Sequence, residues 1–338
     1  MIRKFTHLAA FGAAAAIGLA ATAPAHAQAK AVRLGTSSVG SVYYTLAVAM
    51  SKLLKDEVGL ASTVEAVGGS TPNVIALGAN RVDIPITNAF ASYNGYHGLG
   101  RFKKRGKVKL GLLVVGNPSL RQLVIRKGSG VKDIKDLAGK TIIGKRPALP
   151  EIAMITNAML KVYGISPSKL RVIATTETGE AMDAIAANTV AGGVIPGSQG
   201  AGYFRRAARE NKIEFFSFPK DKMDAMMKLL PEAFDTFEVK ANTYDNQPKA
   251  YTAINMATTL IGSTQYLSEE NGYKVMKAIF DHLDKFRTYH SAAKDWTLEN
   301  TLAKGKIPFH PGAVRYFKEK KVWTEALEKR QAAMASKK

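Results

Sequence analysis

Short apolar, β-branched runs alternate along this chain with stretches whose apolar residues recur at three- and four-residue spacing, the pattern of a sheet covered by helices. Val32-Arg33-Leu34-Gly35 predicts a strand. A helix follows over 44–55, with Leu46, Ala49, Met50, Leu53 and Leu54 on one face. Next come a strand over 62–66, the turn Gly68-Gly69-Ser70-Thr71, and a helix carrying Pro72 in its first turn, where a missing N–H costs little. A strand over 83–87 closes this first block, and the fold class is α/β.

A long apolar strand over 109–115 is broken by Asn117-Pro118-Ser119, after which the alternation restarts. Strands are expected over 122–126, 141–144, 170–174 and 192–195, and helices over 131–137, 151–163, 179–187 and 200–211. Ile213-Glu214-Phe215-Phe216-Ser217 reads as a strand running back to the first block, and the remainder reads as mostly helical. Two crossings, near 115 and 215, predict two lobes joined by a hinge: residues 28–116 with 215–338 as lobe I, and 117–214 as lobe II. The sequence contains no internal repeat.

The N-terminal segment changes the setting. Arg3 and Lys4 precede an apolar run from Leu8 to Ala21, and Ala25-His26-Ala27 supplies a small–x–small cleavage pattern, so residues 1–27 read as a secretory signal peptide. The run is shorter than the roughly 20 residues a helix needs to cross a bilayer core. The mature protein is therefore expected to be exported, periplasmic and monomeric. Among 338 residues there are 48 Lys+Arg against 27 Asp+Glu, a net charge of +21, and no Cys. Disulfides, thiolate metal sites and cysteine nucleophiles are thereby excluded, while anionic partners come forward.

Two Gly/Ser/Thr-rich turns lie at the predicted carboxyl ends of strands and open helices: Thr36-Ser37-Ser38-Val39-Gly40-Ser41, and Gly68-Gly69-Ser70-Thr71 with Asn73 one turn on. Such turns present N–H groups and hydroxyls to one point with the positive end of a helix dipole behind them, which suits carboxylate or phosphate. Single Ser, Thr and Asn residues at these positions also cap helices without any ligand. Two such turns on successive strands, where open α/β sheets place their ligands, favour binding. One of Tyr43 and Tyr44 is expected to face the cleft, Tyr43 being the candidate.

Three segments carry a family resemblance: Leu34-Gly35-Thr36-Ser37-Ser38-Val39-Gly40-Ser41-Val42-Tyr43-Tyr44, Asp136-Leu137-Ala138-Gly139-Lys140-Thr141, and His310-Pro311-Gly312-Ala313-Val314-Arg315-Tyr316-Phe317-Lys318-Glu319. In that order, over about 32–323, the chain resembles the TAXI family, the extracytoplasmic solute receptors of one branch of TRAP transporters. The resemblance implies a type II periplasmic-binding-protein fold that closes on a small, often anionic organic solute and delivers it to a membrane permease; no cofactor is expected. It also implies a cleft residue at Asn88, where the family commonly has Asp. Where the family has Gly-Gly before the tyrosine pair, this chain has Gly40-Ser41.

The largest departure is Gly144-Lys145-Arg146-Pro147, in place of a glycine- and serine-rich loop. Lys145 and Arg146 are expected to supply cations there, Arg146 as a bidentate carboxylate clamp. Arg121, at the start of the strand after the crossover, is a third cation, and the return turn bearing Pro196, Gly197 and Ser198 is expected to close the pocket. Histidine spacing gives no metal face, and neither a G-x-S-x-G elbow nor a P-loop is present. The basic run from Arg101 to Lys109 reads as solvated loop, or as a docking face for acidic protein or anionic lipid; the excess charge is spread over both lobes, which argues against nucleic acid. Transport receptor for an organic anion is the leading reading, with a ligand-sensing subunit of a membrane sensor kinase, or an exported enzyme, as alternatives.

Overall fold

A computed structural model describes residues 31–37 and 39–336; the expected signal peptide and Ser38 lie outside the described residues. The first block forms as the periodicity predicts: β1 (Val32–Thr36), α1 (Val42–Val58), β2 (Ser62–Ala66), α2 (Ser70–Gly78), β3 (Ile84–Asn88) and α3 (Ala89–His97). The apolar face of α1 is buried at Leu46, Ala49, Met50, Leu53 and Leu54, and Gly59 ends the helix in the left-handed conformation that glycine adopts without strain. After a 3₁₀ turn at Gly100–Phe102 comes β4 (Leu110–Val115), every residue of which is buried.

The second sequence block contains β5 (Leu120–Arg126), β6 (Thr141–Lys145), α4 (Glu151–Val162), β7 (Arg171–Ala174), α5 (Thr178–Ala186), β8 (Gly192–Gly197), α6 (Gly202–Arg209) and β9 (Ile213–Phe215). The helix expected over 131–137 is only a 3₁₀ turn, Ile134–Leu137. Beyond β9 the chain makes α7 (Lys220–Met227), β10 (Asp235–Val239), β11 (Tyr251–Asn255) and β12 (Thr258–Ser263) before the helical C-terminus, α8 (Glu269–Phe280), α9 (Leu283–Tyr289), α10 (Leu298–Lys304), α11 (Pro311–Glu319) and α12 (Glu325–Ser336).

Two sheets result, one per lobe. The first has the order β2-β1-β3-β12-β4, with β12 antiparallel to both neighbours and the β1 pairings parallel. The second has the order β10-β11-β5-β8-β6-β7, with β9 also on β5. The second lobe therefore extends further than the sequence suggested. The strand at 213–215 does not run back; it pairs with β5, and β10 and β11 join the same sheet, so the return crossing falls at Met256–Ala257 instead of near 215. Lobe I comprises residues to about 116 and from about 257, and the segment 215–256 belongs with lobe II. Burial on both faces explains why β12 escaped detection: Thr-Thr-Leu-Ile-Gly-Ser has neither a period of two nor a long apolar run.

The two crossing segments are hydrogen-bonded to each other. Gly116 N donates to Thr258 O (2.8 Å), Thr258 N to Asn117 O (2.9 Å) and Met256 N to Ser119 O (3.1 Å), while Ser119 N donates to Asn255 Oδ1 (3.1 Å). Trp296, fully buried, lies against this zipper, and its indole N–H donates to Asn117 Oδ1 at 3.1 Å. A Cβ on Gly116 would stand 2.4 Å from the indole ring. Gly116→Ala is expected to destabilise the protein by about 1–3 kcal/mol through overpacking, read as a lowered midpoint in urea unfolding followed by tryptophan fluorescence; an unchanged midpoint would show that the indole moves freely.

Candidate functional site

At the carboxyl ends of the lobe I strands the chain must turn sharply into helices, and glycine makes this possible. Gly40 (φ 82°), Gly68 (φ 112°) and Gly69 (φ 127°) adopt backbone conformations that side chains disfavour. Thr36 O accepts from Val67 N (2.9 Å) and Gly68 N (3.3 Å), which fixes the second turn against the first. Ser41 caps α1 by accepting from Tyr44 N at 3.2 Å. α2 has no such cap, because Gly69 stands at its N-cap.

Lobe II offers two further helix starts. The N-cap of α6 is Ala201, which has no side-chain oxygen for the first N–H groups, and α5 begins at Glu177-Thr178. Gly197 lets the return turn pass against Tyr203: a Cβ there would meet the phenol oxygen at 2.2 Å. The Tyr203 hydroxyl donates to Pro196 O (2.7 Å), and burial raises its pKa well above the usual phenol value. Gly200 (φ 76°) donates its N–H to the Tyr244 hydroxyl at 2.9 Å, and burial pushes that phenol up to about 12. The turn is thus held from beneath by two neutral tyrosines.

These four helix N-termini, of α1, α2, α5 and α6, face a single cavity of about 810 Å³ between the lobes. Of the residues singled out in the sequence, Ser37, Gly40, Ser41, Tyr43, Gly69 and Ser70 line it from lobe I. Arg121, Arg146, Pro196, Gly197 and Ser198 line it from lobe II. Four others do not. Thr36 is buried beneath the turn; Asn73 is buried and donates to Ile86 O (2.6 Å), tying α2 to β3. Lys145 is exposed, since neighbouring residues at a strand end project to opposite sides and Arg146 takes the inward position.

Asn88 is the fourth, and its role is structural. Its Oδ1 caps α3 by accepting from Ala91 N (2.8 Å), and its Nδ2 reaches across to Glu151 Oε1 on lobe II (3.1 Å). Glu151 also accepts from Arg121 Nη2, both side chains being almost fully buried. Arg121 donates further to Ser119 Oγ (3.3 Å) and to Leu120 O (2.9 Å), and the Tyr43 hydroxyl completes the path by donating to Thr87 O (3.1 Å) with Ser119 Oγ at 3.5 Å. Arg121 is consequently a compensated charge within lobe II at the cavity floor, and the bond from Asn88 to Glu151 is what reaches that pair from lobe I.

Arg146 differs. It is 7% exposed, donates to Thr178 Oγ1 (2.8 Å) and, at a longer 3.3 Å, to Glu177 Oε2, and its Nε has no partner. Desolvation pulls its pKa down, opposed by Glu177. Sequence reasoning missed Glu177 and Thr178, although the turn after β7 repeats the Thr/Gly composition of the recognised ones. Arg205, near the start of α6, and His290 with Ser291, from the helical C-terminal part, also line the cavity; no local motif announced them. The His290 Nδ1 accepts from Ala292 N (3.0 Å), and burial lowers its pKa, which keeps the ring neutral.

Two α/β lobes on a double crossover, with a cleft at the strand ends, define the type II periplasmic-binding-protein fold. The chain is similar in fold to MatC from Rhodopseudomonas palustris, solved with bound malate, at TM-score 0.54 and 12% identity over 88% of this chain and 98% of that one. A Xanthomonas citri protein solved with ATP gives TM-score 0.51 at 10% identity, covering 90% and 98%. A Bordetella bronchiseptica RB50 protein gives 0.51 at 14%, covering 89% and 96%. The sequence profile of the NMT1-like family matches residues 34–320, and the chain belongs to that family.

Because Arg121 is buried, removing its partner leaves a desolvated cation. Glu151→Ala is expected to cost about 3–5 kcal/mol in urea unfolding, and Arg121→Met with Glu151→Leu to recover most of that loss. A cost under about 1 kcal/mol for the single change would show that the pair is hydrated.

Proposed function

We propose that the protein is an extracytoplasmic solute-binding receptor that captures a small organic anion between its lobes and hands it to a membrane permease. The observation that carries this reading is the convergence of four helix N-termini and the Arg146 side chain on one cavity. The starts of α2 and α6, which have no capping side chain, offer N–H groups and positive dipole potential without a mobile counter-ion, and Arg146 adds a guanidinium at the cavity wall. A carboxylate or sulfonate satisfies these groups from both sides of the cleft. Contact with both lobes is what allows a ligand to bias closure, since a solute held by one lobe alone leaves that equilibrium unchanged.

The order of the three TAXI-like segments supports a TRAP-type permease as the recipient, and the N-terminal leader pattern supports a periplasmic location. MatC, with its bound malate, supports an organic-acid ligand for this fold. The cleft offers binding groups throughout, which supports capture and release without turnover.

The ligand is sought by native mass spectrometry of the purified protein, then by calorimetry against monocarboxylates, dicarboxylates and sulfonates. Arg146→Ala is expected to weaken the best anion by about tenfold or more, given roughly 1.5–3 kcal/mol for a hydrogen bond to a charged group, and Arg146→Lys to restore part of it. A dissociation constant that Arg146→Ala leaves unaltered removes this residue from the site. Failure of every anion to bind overturns the reading.

A further inference from the structure

The loop between α3 and β4 carries Arg101, Lys103, Lys104, Arg105, Lys107 and Lys109, all exposed. Elsewhere the surface is laced with ion pairs, yet among the described residues none of these six has an acidic partner. No Asp or Glu occurs in the sequence between Asp83 and Asp133. Asp83 itself, whose carbonyl accepts from Ser263 N at the neighbouring strand end, is engaged by Arg33 at 2.7 Å. The cluster is therefore an uncompensated field.

It is also a built surface. Phe102, 2% exposed, anchors the loop in the lobe I core, and Phe102 N→Leu99 O (2.9 Å), Gly106 N→Phe102 O (2.8 Å) and Val108 N→Gly95 O (2.8 Å) fix its path. Arg105, Lys107 and Lys109 border a cavity of about 230 Å³ together with Tyr266, which is 47% exposed, and Leu99 at the head of the loop is 40% exposed. The loop precedes β4, at the amino-terminal edge of the parallel strands. The ligand cavity lies at their carboxyl-terminal edge, so a six-residue strand, roughly 20 Å, separates the two.

We propose that this edge of lobe I docks on an anionic phospholipid surface. Three features select that partner. The charge is concentrated and uncompensated, which anionic headgroups complement. Most of the cations are lysines, compact charges on flexible stems that suit laterally mobile headgroups better than fixed bidentate pairing. An exposed tyrosine and leucine stand beside them, the amphipathic and apolar side chains that settle at headgroup depth. Docking there leaves the cleft on the far edge open to solvent.

The test is co-sedimentation of the full protein, as purified, with phosphatidylcholine vesicles and with vesicles in which a quarter of the lipid is phosphatidylglycerol. Binding is expected only to the latter and is expected to fall steeply with added salt. The combined change Lys103→Gln, Lys104→Gln, Arg105→Gln and Lys107→Gln is expected to lower vesicle affinity by about tenfold or more. A control that removes the same charge from lobe II, Lys132→Gln, Lys135→Gln, Lys161→Gln and Lys169→Gln, is expected to change it by less than about twofold. Unchanged thermal unfolding in both variants separates loss of the face from loss of the fold. Equal losses in the two variants would mean that total charge is responsible and would overturn the proposal. Absence of binding to phosphatidylglycerol vesicles would overturn it too, leaving an acidic protein surface as the partner for these cations. Anion affinity in the cleft is read separately and is expected to be the same in both variants.

Discussion

Everything in this molecule is arranged around a chain that passes between two sheets twice and hydrogen-bonds to itself as it does so. The segments at 116–119 and 255–258 are hydrogen-bonded into one ribbon, which restrains the lobes against sliding past each other. Trp296 and Gly116 pack that ribbon against lobe I, and Asn88 reaches over it to Glu151 and Arg121 in lobe II. Buried polar groups of this kind specify geometry more than they add net stability, because their desolvation offsets most of their attraction. The consequence is a cleft whose walls are held in fixed register.

Much of this was legible in the sequence, and the successes and failures have physical causes. The first lobe was readable because α1 is amphipathic, its strands are short and bounded by glycine turns, and those turns line the cavity themselves. The boundary of lobe II was misplaced because β10 and β11 are separated by a polar loop and β12 is buried on both faces, so neither periodicity nor composition marked them. A strand at 213–215 was correctly recognised, but sequence says nothing of which sheet a strand joins.

The site shows the same division. Ser37, Ser41, Ser70 and Arg146 line the cavity as their local chemistry, a Gly/Ser turn or a cation at a strand end, leads one to expect. Asn88 and Arg121 are expected from the sequence as ligand contacts, but their partner Glu151 lies far away in sequence, and only the fold reveals that Asn88 is a helix cap outside the cavity lining and that Arg121 is already paired. Arg205, His290 and Ser291 were beyond reach, since nothing local distinguishes them from surface residues until the chain brings them to the rim. Lys145 was overvalued beside Arg146 because sequence adjacency suggested joint action, whereas the strand sends the two side chains apart.

The electrostatics of the cleft follow from which charges are already spoken for. Arg121 faces Glu151 and Arg146 faces Glu177, so the formal charges around the floor nearly cancel despite a chain total of +21. What remains uncancelled is Arg205 at the rim and a set of directional donors: N–H groups at the starts of α2 and α6, which have no capping side chain, and the Nε atoms of Arg121 and Arg146. A pocket lined with bare cations would hold the empty lobes apart by mutual repulsion and retain any anion too tightly to release it. Fixed dipoles avoid both effects, because they attract an anion only when it sits close and correctly oriented. On the proposed reading, most of the excess positive charge lies away from the cleft and would draw anions toward the protein without deciding which one is kept.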